Sequence, residues 1–191
     1  MRPGIVGAAA AGEVIVPGDT GWQLPTIAVN HTGSGDTNWS NIDAVKNTST
    51  SEATCSIKSD YSGTTSARFI RAQGFDFSAV PDGAVISELH CQAYHYKNSG
   101  NTGVTAFYIC KDSAVDGNAS AGIVWPTSLS LVTKTTDASS NSMWGTTGIT
   151  PAKVKESDFG CFFGGTGTSG SYQYPTLRTR YIQMKVVWVA P

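Results

Sequence analysis

Residues 69–96 read FIRAQGFDFSAVPDGAVISELHCQAYHY, and their pattern decides the fold. Phe75 and Phe77 alternate with polar neighbours, as on a strand with one buried face. Pro81-Asp82-Gly83 is a turn: proline presets φ and glycine accepts a positive φ. After it, Ala84 and Ile86 share a face, but Leu89, Cys91 and Ala93 continue the apolar row on the other parity. Ser87 and Glu88 thus occupy a place meant for one residue, the signature of a β-bulge. Glu88, His90 and Gln92 point away from the row. A strand buried on one side and wet on the other belongs to an antiparallel sheet.

Working outward, the chain has 191 residues, of which only 14% are charged, with a formal net charge of −1. A chain of this length is most simply one domain and buries about 70% of its unfolded surface. Gly, Ser, Thr and Asn fill the place of charges, which favours short strands and turns over helices. No window carries a sustained i, i+3, i+4 apolar stripe. The balance of charge leaves no basic footprint for nucleic acid, and no run approaches the ~18 apolar residues of a membrane helix.

Residues 1–17 are expected to form an extended N-terminal arm ahead of a single β-sandwich domain, 18–191. Pro3, Gly4 and Glu13 interrupt what would otherwise resemble a secretion signal. Two readings of the arm stand level: a segment lying on a partner, or a first edge strand at Glu13–Val16. Further strands are expected at Trp22–Val29, around Cys55–Ile57, at Val104–Cys110, Ile123–Trp125, Leu129–Val132 and Cys161–Phe163. The last runs from Arg178 to Val189, where Ile182, Met184, Val186 and Trp188 alternate with polar residues. Turns are expected at Ser62-Gly63 and Val115–Asn118, a helical turn at Lys153–Ser157, and loops at 97–103, 135–141 and 164–171. Val104–Cys110 is expected to return antiparallel to 84–96 through the 97–103 loop, and its two apolar faces imply cover on both sides. Eight to ten short strands with glycine-rich turns give an all-β, antiparallel β-sandwich or jelly roll.

The stretch also resembles a pattern in virion proteins of tailed bacteriophages. The carriers are Gly74-Phe75-Asp76-Phe77-Ser78, then Val80-Pro81 with Gly83-Ala84 and Ile86. Trp39 and Asn41 with Ala44 stand upstream; Trp144-Gly145, Asp158-Phe159-Gly160 and Val186–Val189 follow downstream. Glu88 departs from the pattern, which has a small residue there. The resemblance spans roughly residues 38–189 and consists of packing motifs. It implies a virion structural protein at the particle surface, assembled in a host cytoplasm: a capsid decoration, or cement, protein. Such a protein binds across neighbouring subunits of the major capsid protein, its arm extending over one of them, as a homo-oligomer with a trimer favoured. The alternative is a tail-tip or fibre jelly-roll module that binds a host glycan through the 97–103, 135–141 and 164–171 loops.

No catalytic, cofactor-binding or metal-binding residue is nominated, and no enzyme is expected. His90, Cys91 and His95 are close in sequence, but residues five apart on a strand face opposite ways, so they read as exposed strand polars rather than ligands. Gly164–Gly170 lacks the lysine and helix of a P-loop and reads as a flexible loop. Asp36 and Glu88 are arbitrary choices for a carboxylate pair, because sequence cannot set their separation. Ser34–Trp39 resembles the aspartate box of sialidases but lacks its glycine and spacing. Sequons at Asn30, Asn38, Asn47 and Asn118 are what a Ser/Thr-rich chain contains by chance. Cys55, Cys91, Cys110 and Cys161 read as free buried thiols. Trp39 reads as a core aromatic, and Tyr94, Tyr96, Tyr172 and Tyr174 as interface or sugar-platform candidates.

Overall fold

The computed structural model describes residues 17–57, 65–98, 104–136, 144–167 and 175–190. Twelve strands and one helical turn occur among them: β1 (Pro17–Asp19), β2 (Ile27–Asn30), β3 (Ala53–Ser56), β4 (Thr65–Ser66), β5 (Ile70–Gln73), β6 (Val85–Lys97), β7 (Val104–Lys111), β8 (Ala114–Asp116), β9 (Ile123–Val124), β10 (Ser130–Thr135), α1 (Pro151–Val154), β11 (Gly160–Gly167) and β12 (Thr176–Val189). A 3-10 turn, Ile42–Lys46, lies between β2 and β3.

The strands form two antiparallel sheets. In the first the order is β1-β12-β6-β10, with β3 also paired to β12; in the second it is β2-β5-β11-β7-β8, with β4 on β11 and β9 on β7. The sheets pack face to face. From the first come Leu89, Cys91, Ala93, Ile182, Met184 and Val186; from the second, Ile70, Ala72, Phe107, Ile109, Cys161 and Phe163. All are fully buried, as the alternation requires when one face of each sheet makes the core.

Two aromatic groups fill this core. Phe75 stacks on Phe77 at 5.7 Å, and Phe77 meets Phe159 edge-on just before β11 begins. Further along, Trp125 lies 6.2 Å from Trp39 and 5.7 Å from Phe163. Trp39 is the buried core aromatic that its sequence context suggests. Its indole donates to the Arg68 carbonyl, and the Asn30 side chain holds its backbone N–H at 2.7 Å.

The bulge in β6 is present. Glu88 pairs with Val187 and Ile86 with Trp188, so Ser87 is the extra residue, and Ile86 and Leu89 both stay inside. β12 carries a second bulge. Thr179 pairs with His95 and Tyr181 with Tyr94, leaving Arg180 extra. Thr179 and Ile182 are therefore buried while Arg180 and Tyr181 both turn outward.

Several expectations are corrected. β7 does not return beside β6; it pairs with β11, β8 and β9 in the other sheet. Periodicity tells which face of a strand is buried, not which sheet it joins, and the inner faces of β6 and β7 line one core from opposite sides. The outer face of β7 is only partly covered: Tyr108 lies 5.1 Å from Phe69, but both it and Ala106 are half-buried. Phe75 and Phe77 are buried but lie beyond the end of β5. The turn after Pro81 closes by an Ala84 N–H to Pro81 carbonyl bond without a positive φ at Gly83. In the Trp22–Val29 segment only β2 is a strand of the second sheet; Gln23 bridges to Met184 in the first. The 115–118 turn starts later, at Gly117, because Val115 and Asp116 belong to β8. The glycine run from Gly164 starts as strand, through Gly167. A Cβ at Gly164 would collide with Phe69, so glycine there lets an aromatic ring lie on the strand. Residues 1–16 of the arm, the Ser62-Gly63 turn, Tyr172 and Tyr174 lie outside the described residues.

Candidate functional site

Across the outer face of the first sheet, the polar side chains are organised rather than merely solvated. β6 supplies Glu88, His90, Gln92, Tyr94 and Tyr96; β12 supplies Arg178, Arg180, Tyr181, Gln183 and Lys185. The bulge at Arg180 decides the arrangement. Without it Arg180 and Tyr181 would alternate in and out; with it both stand beside Tyr94 and Arg178.

Glu52, just ahead of β3, is the centre of one half. Its carboxylate lies 2.8 Å from Arg178 Nη1 and 3.2 Å from Arg180 Nε. The Tyr96 hydroxyl donates to it at 3.0 Å, and its side chain is only 13% exposed. Burial alone would raise the Glu52 pKa. The hydrogen bonds from Arg178, Tyr96 and Arg180 outweigh it and hold the carboxyl below its usual value. Burial and the Glu52 hydrogen bond push the Tyr96 hydroxyl up, and the same carboxylate pushes Arg178 up. The guanidinium of Arg178 lies 5.8 Å from the Tyr96 ring and that of Arg180 5.9 Å from the Tyr94 ring. Tyr94 and Tyr181 pack at 5.4 Å with planes 32° apart.

The other half centres on His90. Its Nε2 lies 2.7 Å from Glu88 and its Nδ1 3.0 Å from the Thr135 hydroxyl. Trp22 meets the ring edge-on at 6.1 Å, and Lys185 Nζ lies 5.5 Å from the Trp22 ring. Gln92, hydrogen-bonded to Gln183 at 2.6 Å, joins the halves.

This face sets the Thr135 hydroxyl on one ring nitrogen of His90 and the Glu88 carboxylate on the other. Its most buried carboxylate is already charge-paired and held low, the opposite of a general acid. Tyrosine and arginine, which dominate this face, are residue types enriched at recognition surfaces.

The residues weighed in the sequence fall as follows. His90 faces out; Cys91 and His95 face in, so they are not brought to one ion. His95 is not an exposed strand polar: it is 1% exposed, 4.8 Å from Trp125 and 5.6 Å from Phe163. Desolvation lowers its pKa, against the opposing effect of the Ala93, Val124 and Ser130 carbonyls. Its parity with Leu89, Cys91 and Ala93 was the available signal. Glu88 lies on the first sheet beside His90, whereas Asp36 bonds through its N–H to Ser66 of β4, in the second. All four cysteines are free and buried; burial pushes Cys55 and Cys110 up to about 12. The sequon residue Asn30 is engaged with the backbone of Trp39. Of the glycan-loop candidates, 99–103, 137–141 and 168–171 lie outside the described residues.

Sequence reasoning missed Glu52, which is 126 residues from Arg178 and shows no local pattern. It also missed Asp112, Glu156 and Asp158, whose carboxylates converge. Lys153 bonds to Asp112 and Glu156 and lies 3.6 Å from Asp158. One ammonium group thus already offsets part of the cluster's negative charge, tying the β7–β8 turn to α1.

The chain matches no protein-family model and no curated protein.

Proposed function

We propose that this chain is a virion structural protein of a tailed bacteriophage: a homo-oligomeric capsid decoration protein that binds across neighbouring subunits of the major capsid protein. The observation that carries the reading is that the residues of the resemblance converge. Trp39, Phe75, Phe77, Ala84, Phe159 and Val186 are all buried in one core. A packing motif behaves this way, whereas an active-site motif would line a cleft. The outer face of the first sheet adds interlinked tyrosine and arginine side chains of the kind suited to protein contact. The mechanism is linkage. A protein that binds only the assembled shell stabilises it by its binding free energy, against the outward pressure of packaged DNA.

Copy number per purified particle, measured by quantitative mass spectrometry against the major capsid protein, tests this. Decoration predicts a ratio within a few-fold of one to one. Absence from the particle overturns the reading.

One observation favours a second reading, a glycan-binding module of the tail tip or fibre. The Tyr94–Tyr181 pair beside Arg180 offers ring faces and hydrogen-bond donors together. That reading predicts a handful of copies per particle and binding on a glycan array that Tyr181→Ala removes.

A further inference from the structure

Among the described residues, nothing pairs with the outer edge of β10. There β10, the last strand of the first sheet, faces β9, at the margin of the second. Between them lies a cleft of about 300 Å³, lined by His95, Ile123, Val124, Leu131, Val132 and Lys134 among others. Val124 is 76% exposed and Leu131 50%, two of the five exposed large apolar side chains among the described residues. His95 is 1% exposed, with Nδ1 3.4 Å from the Ala93 carbonyl and the Val124 and Ser130 carbonyls also acting on the ring. Lys134 pairs with Cys91, which sets it on the inward parity of an edge strand, and among the described residues it has no ion pair. An inward lysine on an edge repels strands in general. A strand bearing a matching carboxylate is the exception.

We propose that the Glu13-Val14-Ile15-Val16 segment of a second copy of this chain adds as a strand along β10, with Glu13 paired to Lys134 and its apolar side chains on Val124 and Leu131. The inference rests on the homo-oligomer part of the proposed function and assigns the arm to a neighbouring copy instead of the capsid protein. Three observations commit it to that occupant. The segment is β-branched, and Glu13 is the one acid in the first 16 residues. The described chain begins at Pro17, in β1, at the edge of the first sheet opposite β10. The chain's own segment cannot serve. From β1 to β10 is three strand spacings, about 14 Å, and four extended residues span about 13 Å. Residues 13–16 would be used up in the crossing. A donor edge that differs from the acceptor edge is a head-to-tail contact, which makes a closed oligomer where the rotation closes; two copies exchanging arms make the smallest.

The test uses the isolated full chain, with mass from native mass spectrometry and light scattering, and hydrogen exchange over residues 130–135. The expected result is a closed oligomer that dissociates at least about tenfold more readily in Glu13→Lys or Lys134→Glu and is restored in the double charge reversal. Removing residues 1–16 should give a monomer with unchanged circular dichroism and faster exchange in β10. Three results overturn the inference: a monomer at every concentration, an oligomer indifferent to both charge changes, or arm-dependent protection of β10 in a monomer, which makes the contact internal. These outcomes are independent of particle copy number. A monomer found on phage heads refutes the arm exchange and the homo-oligomer part of the proposed function but leaves decoration standing, and a charge-rescued oligomer absent from particles refutes the decoration reading alone.

Discussion

The two faces of the first sheet are made by the same strands and held by different physics. Inside, Leu89, Cys91, Ala93, Ile182, Met184 and Val186 are fully buried against the second sheet. Outside, Glu52, Tyr96, Arg178, Arg180 and the His90–Glu88 pair are tied by hydrogen bonds and ring–cation contacts. The inner face is non-directional and strong through area. The outer face is directional, half-wet and weaker per contact. The difference teaches that the fold should depend on the first and tolerate loss of the second, which leaves the outer face available for recognition.

The largest expected effect is therefore on the inside. Phe163→Ala removes a ring that touches Trp125, Phe107 and His95; it should cost about 3–5 kcal/mol in urea unfolding. A cost below about 1 kcal/mol would break the comparison. Next comes Glu52→Gln, which leaves two arginines without their charge partner and should cost about 1–2 kcal/mol.

Acidification separates the faces. Burial lowers the His95 pKa from 6.5, so the neutral ring favours the fold. Its contribution is complete above pH 6.5 and is lost as pH falls below that value, with a slope of at most about 1.4 kcal/mol per unit. No charged group contributes to this shift, although Lys134 lines the same cleft. Glu52 is lowered from 4.5 by its hydrogen-bond donors, so its contribution is present above pH 4.5 and is lost on further acidification. Unfolding free energy measured from pH 8 to 3 should show an upper phase reduced in His95→Gln, with the lowered His31 carrying the remainder, and a lower phase reduced in Glu52→Gln, with Asp76, Asp82 and Asp112 carrying the remainder. A single phase unaffected by His95→Gln would contradict the burial assigned to that ring. The smallest effect belongs to Lys185→Ala, which loses a ring contact with Trp22 and a 3.9 Å ion pair with Asp19. It should cost about 0.5 kcal/mol or less.

What the sequence made legible follows from where the information lies. The Ser87 bulge, the inner row of β12 and the burial of Trp39 are written in local parity and residue size. The sheet to which β7 belongs is not, because an apolar row on β7 packs equally well beside β6 or across from it. Glu52 could not be found, since its partners Tyr96, Arg178 and Arg180 are remote and its own neighbours are Ser and Ala. The outward pairing of Arg180 and Tyr181 had a signal: Thr179 and Ile182 are three apart on one inner face, which demands an extra residue between them.

The most direct test of the division between the faces is binding of a Tyr94→Ala/Tyr181→Ala variant to purified particles, with its melting temperature measured alongside. A recognition surface predicts binding weakened at least about tenfold, as for aromatic anchors at an interface, with the fold intact and cooperative. Full binding by the variant would contradict the account and return the outer face to the role of a covered sheet.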